Sequence, residues 1–122
     1  MIICGPISGS AFVDNLKNVK LIIACHQLRI HETHESEFYI HLGSRAIIEN
    51  CSNVKFAKYS LSYPNLTKHF EKSGLSHDKS NWQCIDDFNW LNEKKESPNW
   101  SFLDENKRLK WTVTESGELI SQ

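Results

Sequence analysis

Arginine is scarce in this chain, which has eleven lysines but only three arginines: Arg29, Arg45 and Arg108. Arg29 lies in a β-rich run, where side chains alternate between the two faces of a strand. Leu28 and Ile30 are therefore expected to face the interior. Arg29 would face outward, together with Gln27 and His31. A guanidinium is always charged and offers a fixed fork of donors to a carboxylate or phosphate, but the spacing alone predicts only an arginine exposed to solvent.

Metal-ligand residues are present, but their spacing is not that of a metal site. His31, His34 and His41 lie among glutamates, and the first two are three residues apart. In a region of strands and turns that spacing does not place both rings on one face, so we predict solvated turns and no metal. The cysteines are widely spaced without a Cys-x-x-Cys motif, which favours reduced thiols over a zinc site or disulfides: Cys4, Cys25, Cys51 and Cys84.

A repeat runs through the first half of the chain. Residues 13–20 (VDNLKNVK) recur as residues 48–55 (IENCSNVK), and a poorer copy begins midway at Ile30. The underlying period is thus 17 or 18 residues, which is typical of a solenoid of short strands and turns. Each repeat is one coil of a parallel β-helix, with equivalent apolar residues stacked into ladders. We predict three ladders: Val13, Ile30 and Ile48; Leu16, Thr33 and Cys51; Val19 and Val54. An antiparallel β-sandwich is the alternative.

The second half of the chain has a different pattern. Apolar residues at Leu66 and Phe70, followed by a helix-stop signal at residues 73–74, predict a short helix. We predict that three apolar residues cap the open end of the coil stack: Trp100, Phe102 and Leu103. Residues 1–103 then form the β-helix with its cap, and residues 104–122 a partly flexible extension anchored by Trp111.

Composition excludes several classes of protein. The 122 residues suit one domain, and a formal net charge of −1 argues against a nucleic-acid binder. No apolar run approaches a membrane span, and the first residues do not resemble a secretory signal. We expect a cytoplasmic monomer. No phosphate-binding loop with its lysine is present, so the chain is not expected to bind GTP by itself.

Seven segments, in order along most of the chain, resemble the cofactor C-like domain of the tubulin-binding cofactor C family and, less closely, of retinitis pigmentosa protein 2. They are residues 4–10 (CGPISGS), 24–31 (ACHQLRIH), 44–52 (SRAIIENCS), 63–64 (YP), 81–82 (NW), 86–91 (DDFNWL) and 97–101 (SPNWS). The resemblance implies an all-β fold, a right-handed parallel β-helix with a short C-terminal helix and loop cap. It also implies a GTPase-activating role, in which GTP and Mg²⁺ belong to the partner and the chain needs no cofactor.

The resemblance assigns roles to several residues. It makes Arg29 an arginine finger, with Gln27 beside it and Glu49, one coil further on, able to brace the guanidinium. The family usually has glutamine where this chain has His26, whose charge depends on pH, so the expected partner contact at His26 is altered. Arg45 matches a family position and is expected to contact an acidic partner, to brace Glu49 or to form a simple ion pair.

Two aromatic residues and the partner itself complete the expectations. Phe88 and Trp90 are predicted either to contact a partner or to pack in the core. The resemblance implies β-tubulin as the GTPase, together with cofactors D and E, in a cytoskeleton-associated role. An Arf-like small GTPase is the first alternative, and a non-catalytic module that binds the cytoskeleton, as in cyclase-associated proteins, is the second.

Overall fold

The computed structural model describes residues 1–76, 78–91 and 94–121. In chain order its elements are β1 (Ile2–Ile3), β2 (Ser10–Asp14), β3 (Lys20–Cys25), β4 (Gln27–His31), β5 (His34–Leu42), β6 (Ala46–Glu49), β7 (Ser52–Lys58), β8 (Leu61–Ser62), α1 (Leu66–Ser73), β9 (Ile85–Asp87), β10 (Trp100–Phe102), β11 (Trp111–Val113) and β12 (Leu119–Ser121). No helix in these ranges is long and apolar enough to cross a membrane.

The chain winds through two parallel sheets, because its successive strands belong to them alternately. The first sheet has the order β1-β3-β5-β7-β10 and the second the order β2-β4-β6-β9, and every neighbouring pair is parallel. Each strand thus reaches the next strand of its own sheet by way of the other sheet. This is the parallel β-helix that the repeat predicted, and the antiparallel sandwich is excluded.

The interior of the coil is built from ladders of equivalent residues. Val13 is in register with Ile30, and Ile30 with Ile48, so the first predicted ladder is confirmed. Ile30 and Ile48 are almost completely buried. Burying a side chain of this size contributes about 1.5–3 kcal/mol, and no single coil can do so without its neighbours.

Two ladders contain a hydroxyl in the middle coil. Thr33 accepts a hydrogen bond from the Leu16 amide at 3.4 Å, and Ser36 accepts one from the Val19 amide at 3.2 Å. Each hydroxyl also donates to the carbonyl two residues before it. Ser36 is in register with Val54, so it is the middle residue of the third ladder, which the sequence pattern did not identify. These bonds satisfy buried polar groups that would otherwise be costly.

The corners of the coils share a left-handed backbone conformation. Six non-glycine residues have φ between 45° and 59°, at two positions of each of three coils: Asn15, Asn18, Glu32, Glu35, Asn50 and Asn53. Asparagine tolerates this conformation because its short side chain bonds the local backbone. The left-handed corners therefore explain why asparagine recurs in the sequence repeat. The middle coil has glutamate at both of its corners.

The outer face of the first sheet is covered by the rest of the chain. The predicted helix is confirmed as α1, which ends at Gly74 with φ 74° and packs Phe70 against Ala24. A three-stranded sheet of order β12-β11-β8 lies beside it. Trp111, only 2% exposed, meets the ring of Tyr39 edge-on at 4.5 Å, so its predicted role as an anchor is confirmed. The second sheet has no such cover among the described residues.

The end of the coil stack is closed by aromatic residues. Trp100 contacts Phe56 with ring centroids 5.9 Å apart, and Phe102 contacts Trp82 at 5.3 Å. Both belong to β10, which continues the first sheet and turns alternate residues inward. The prediction that Leu103 shares this cap was wrong, since strand alternation turns it outward into the cluster around Trp111.

Residues 104–121 carry regular structure of their own. They contain the 3-10 turn Glu105–Lys107 followed by β11 and β12. The division of the chain into units 1–103 and 104–122 stays a prediction, and Gln122 lies outside the described residues.

Candidate functional site

Arg29 lies on an exposed strand face, as the alternation predicted. In β4, Leu28 and Ile30 are buried while Arg29 between them is exposed, and the flanking Gln27 and His31 are half-buried. Among the residues that the structure describes, the Arg29 guanidinium forms no ion pair and no hydrogen bond. The positive charge is therefore available to a ligand or partner.

The surroundings of Arg29 follow from the strand register. We call the outward residues of the second sheet the open face. It has three rows: Ser10 and Gln27; Phe12, Arg29, Ile47 and Asp86; Asp14, His31 and Glu49. Arg29 is the central residue, with an aromatic and an aliphatic side chain as its neighbours across the strands. A cavity of about 240 Å³ lies there, lined by Arg29, His31, Glu49 and apolar atoms of its neighbours.

Glu49 is close to Arg29 but does not contact it in this structure. It is in register with His31, which places it one strand across and two residues along from Arg29. The spacing of strands and the rise per residue put such Cα atoms about 8 Å apart, within reach of two long side chains. The bracing of Arg29 by Glu49 stays a prediction.

His31 is the titratable group beside the arginine. Its Nδ1 lies 2.8 Å from Oδ1 of Asp14, the equivalent residue of β2. This hydrogen bond, with lesser contributions from the charges of Asp14, Glu32 and Glu49, raises the pKa of His31 above its usual value of 6.5. His31 thus holds its proton to higher pH than a free histidine.

Gln27 and His26 differ in their placement. Gln27 is on the open face, two residues before Arg29. The ring of His26 instead contacts the end of α1, where its Nε2 lies 3.1 Å from the Ser73 carbonyl oxygen. Gly43 leaves room for the ring, because a Cβ there would lie 2.7 Å from Nδ1. The partner contact expected at His26 stays a prediction, and its ring already has a bond within the chain.

Arg45 forms the simple ion pair that was one of its three expected roles. Its guanidinium contacts the carboxylate of Asp86 on β9. Both side chains are about half-exposed, so the pair adds little stability. It does place the Arg45 charge at the edge of the open face, on the side of Arg29 away from Glu49.

Phe88 and Trp90 lie in different surroundings. Phe88 follows β9, donates its amide to the Ile48 carbonyl and exposes 52% of its surface beside Glu49. It therefore extends the open face. Trp90 is half-buried, and its Nε1 donates to the Lys95 carbonyl at 2.8 Å within the following loop. Trp90 lines a separate cavity of about 520 Å³ with Asp87 and neighbouring loop residues.

The three histidines considered as metal ligands are not brought together. His34 bonds the hydroxyl of Ser52 at 2.7 Å, and His41 is buried against Phe70. Donor atoms of His31 do cluster with those of Asp14 and Glu32 within 4.8 Å. Ion pairing to His31 accounts for that cluster.

Sequence reasoning missed two residues of the site, Phe12 and Ile47. The signal was present, because Phe12 precedes Arg29 by 17 residues and Ile47 follows it by 18, the two lengths of the repeat. The predicted ladders contain interior positions only. The same period, applied to the outward residues, identifies the neighbours of Arg29.

Comparison with known proteins gives a family. The family model described as tubulin binding cofactor C matches residues 1–88. The chain belongs to this family. It is 47% identical over 111 residues to the tubulin-specific chaperone C of Homo sapiens, covering 90% of this chain and 32% of that protein. It is 40% identical to the tubulin-folding cofactor C of Arabidopsis thaliana, covering 93% of this chain and 32% of that protein.

More distant relatives agree with this membership. Protein XRP2 of Danio rerio is 33% identical over 89 residues, covering 73% of this chain and 23% of that protein. Among solved structures, tubulin binding cofactor C from Leishmania major superposes with a TM-score of 0.73 at 29% identity, covering 86% of this chain and 73% of that one. The chain thus spans about a third of the length of the human and Arabidopsis relatives.

Proposed function

We propose that this domain stimulates GTP hydrolysis by β-tubulin, acting with cofactors D and E during tubulin folding and heterodimer release. Arg29 would act as an arginine finger, inserted into the nucleotide site of the partner. The observation that carries the proposal is the exposed, unpaired guanidinium at the centre of the open face. Membership of the tubulin binding cofactor C family supports tubulin as the partner.

The chemistry of GTP hydrolysis gives such an arginine its value. Negative charge spreads over the phosphoryl oxygens in the transition state, and a guanidinium supplied in trans accelerates the reaction by roughly 10³–10⁵. At about 1.4 kcal/mol per tenfold change, this corresponds to about 4–7 kcal/mol of barrier. GTP and Mg²⁺ belong to the partner, and this chain contributes the donors.

The fold suits the presentation of a single side chain. Arg29 lies on a strand that is hydrogen-bonded to a neighbour on each side, in register with Phe12 and Ile47. Its backbone is therefore ordered before the partner arrives, and little conformational entropy is lost on binding. In the proposed complex Glu49 orients the guanidinium, and Gln27 donates a hydrogen bond to the partner or its nucleotide.

The test is single-turnover GTP hydrolysis on tubulin in the presence of cofactors D and E. The wild-type chain is expected to accelerate hydrolysis, and Arg29→Ala to lose at least a hundredfold of that acceleration. Arg29→Lys keeps the positive charge but loses the paired N–H donors of the guanidinium, so it should be nearly as inactive as Arg29→Ala. Lys110→Ala, which removes an exposed cation outside the open face, is the matched control and should behave as wild type. Full activity of Arg29→Ala would exclude the arginine finger.

An Arf-like small GTPase is the second candidate partner, and the similarity to Protein XRP2 favours it. The same variants distinguish the two partners. If acceleration that depends on Arg29 occurs with an Arf-like GTPase and not with tubulin, the partner is the small GTPase. Binding to actin or tubulin without any acceleration would instead indicate a non-catalytic cytoskeletal module.

A further inference from the structure

The side chain next to Arg29 on the open face is an exposed phenylalanine. Phe12 is in register with Arg29 on the adjacent strand, and 66% of its surface is accessible to solvent. It is the most exposed phenylalanine of the part of the chain that the structure describes. Ile47 lies on the other side of Arg29, and Phe88 is exposed further along the open face, just after β9. The guanidinium therefore has an apolar side chain on each side of it across the strands.

The ring of Phe12 has a defined support even though it is exposed. It stacks on His31 with centroids 6.4 Å apart and an interplanar angle of 25°. His31 is itself bonded to Asp14 at 2.8 Å. The support lies on one face of the phenylalanine ring, which leaves the rest of it accessible. The contact with His31 therefore orients the Phe12 ring and leaves most of its surface accessible to a partner.

We propose that Phe12 is a specificity-determining contact residue, which packs against an apolar surface of the GTP-bound partner at the rim of its nucleotide site. The inference rests on the proposed function and adds to it the chemistry of the surface that Arg29 must approach. Phe12 contacts the partner directly and excludes water from one flank of the guanidinium. An arginine stabilises developing charge far better in a site from which water is excluded.

The neighbours of Phe12 favour an apolar occupant over an acidic segment. Glu49 lines the cavity beside Arg29 without pairing with its guanidinium, and the Glu49 carboxylate would repel an acidic segment. Asp14, which is bonded to His31, places a second carboxylate on the open face. Next to Arg29, the open face offers a partner the apolar area of Phe12 and Ile47. Large aromatic residues of this kind are those whose removal costs most at protein interfaces.

The experiment measures GTP hydrolysis by tubulin, with cofactors D and E, as a function of the concentration of the chain. Aromatic contact residues of this class contribute about 2 kcal/mol or more, which is about 30-fold in affinity. Phe12→Ala is expected to raise the half-saturating concentration about 30-fold and to keep most of the maximal rate. Phe12→Leu retains an apolar side chain and should recover most of the affinity. Leu119→Ala, an exposed apolar residue of β12, is the control and should behave as wild type.

A purely structural role for Phe12 predicts a different result. Loss of folded protein lowers the melting temperature and raises the half-saturating total concentration only in proportion to the unfolded fraction, so the half-saturating concentration of folded chain stays that of wild type. That outcome, or a Phe12→Ala variant with wild-type kinetics, would overturn the inference while acceleration that depends on Arg29 still stood.

Direct titration against GTP-loaded tubulin with cofactors D and E separates this inference from the proposed function. If the wild-type chain binds without accelerating hydrolysis, the activator function fails. Weaker binding of Phe12→Ala would in that case still support the contact. If the wild-type chain neither binds nor accelerates hydrolysis, both the contact and the activator function are refuted.

Discussion

Replacing Glu35 by asparagine is expected to stabilise the protein, although it removes no clash and adds no contact between coils. Glu35 has φ 50°, and the equivalent corners of the neighbouring coils carry Asn18 and Asn53. A residue in this left-handed conformation costs about 1–2 kcal/mol, and asparagine recovers part of that through its local hydrogen bonds. We expect Glu35→Asn to raise the free energy of unfolding by about 0.5–1 kcal/mol.

The corresponding shift in melting temperature is large enough to measure. Unfolding entropy near 2.1 cal/mol/K per residue amounts to about 0.26 kcal/mol/K for this chain, so the rise is about 2–4 °C by scanning calorimetry. The reverse exchange, Asn53→Glu, should lower the melting temperature by a similar amount. Glu37→Asn, two residues further along β5 at a position without a positive φ, is the matched control and should bring no gain. A Glu35→Asn variant no more stable than wild type, with Asn53→Glu neutral, would refute the explanation of the repeat by its corners.

Two further predictions concern the open face and the covered one. His31 has a raised pKa through its bond to Asp14, so this interaction stabilises the folded chain below pH 6.5 and is lost as the pH rises through the raised pKa. Asp14→Asn should therefore lower the pKa of His31 in an NMR titration and destabilise the chain only on the acidic side; an unchanged pKa would contradict the assignment. Trp111→Ala should cost about 3–5 kcal/mol in denaturant unfolding, because the indole is 2% exposed and packs on Tyr39; a loss below 1 kcal/mol would mean that the segment after residue 103 is not part of the folded unit.

The coil architecture was accessible from the sequence because its signals are local and repeated. The asparagines at the corners and the ladder of Val13, Ile30 and Ile48 recur at fixed spacing, so pattern and structure coincide. The middle coil was harder to recognise, since Glu32 and Glu35 occupy its corners and hydroxyls enter its ladders. Those hydroxyls are tolerated because they bond backbone groups of the same and the preceding coil, which composition cannot show.

The candidate site could be predicted from the sequence only in part, because several of its contacts join residues far apart in the chain. The outward direction of Arg29 follows from alternation within one strand, whereas the ion pair of Arg45 with Asp86 depends on a strand that joins the sheet 41 residues later. The contact of His26 with the end of α1 likewise depends on how the helix packs. Phe12 lies one repeat before Arg29, so the same period applied to outward residues predicts that the two are neighbours.

The central claim is that Arg29 acts in trans on a bound GTP, and one measurement tests it most directly. Single-turnover hydrolysis of GTP on tubulin with cofactors D and E is compared between wild type and Arg29→Ala, with folding of both checked by thermal unfolding. The account predicts strong acceleration by the wild type and at least a hundredfold less by Arg29→Ala, at unchanged stability because the side chain is exposed and unpaired. Equal acceleration by the two folded proteins would contradict it.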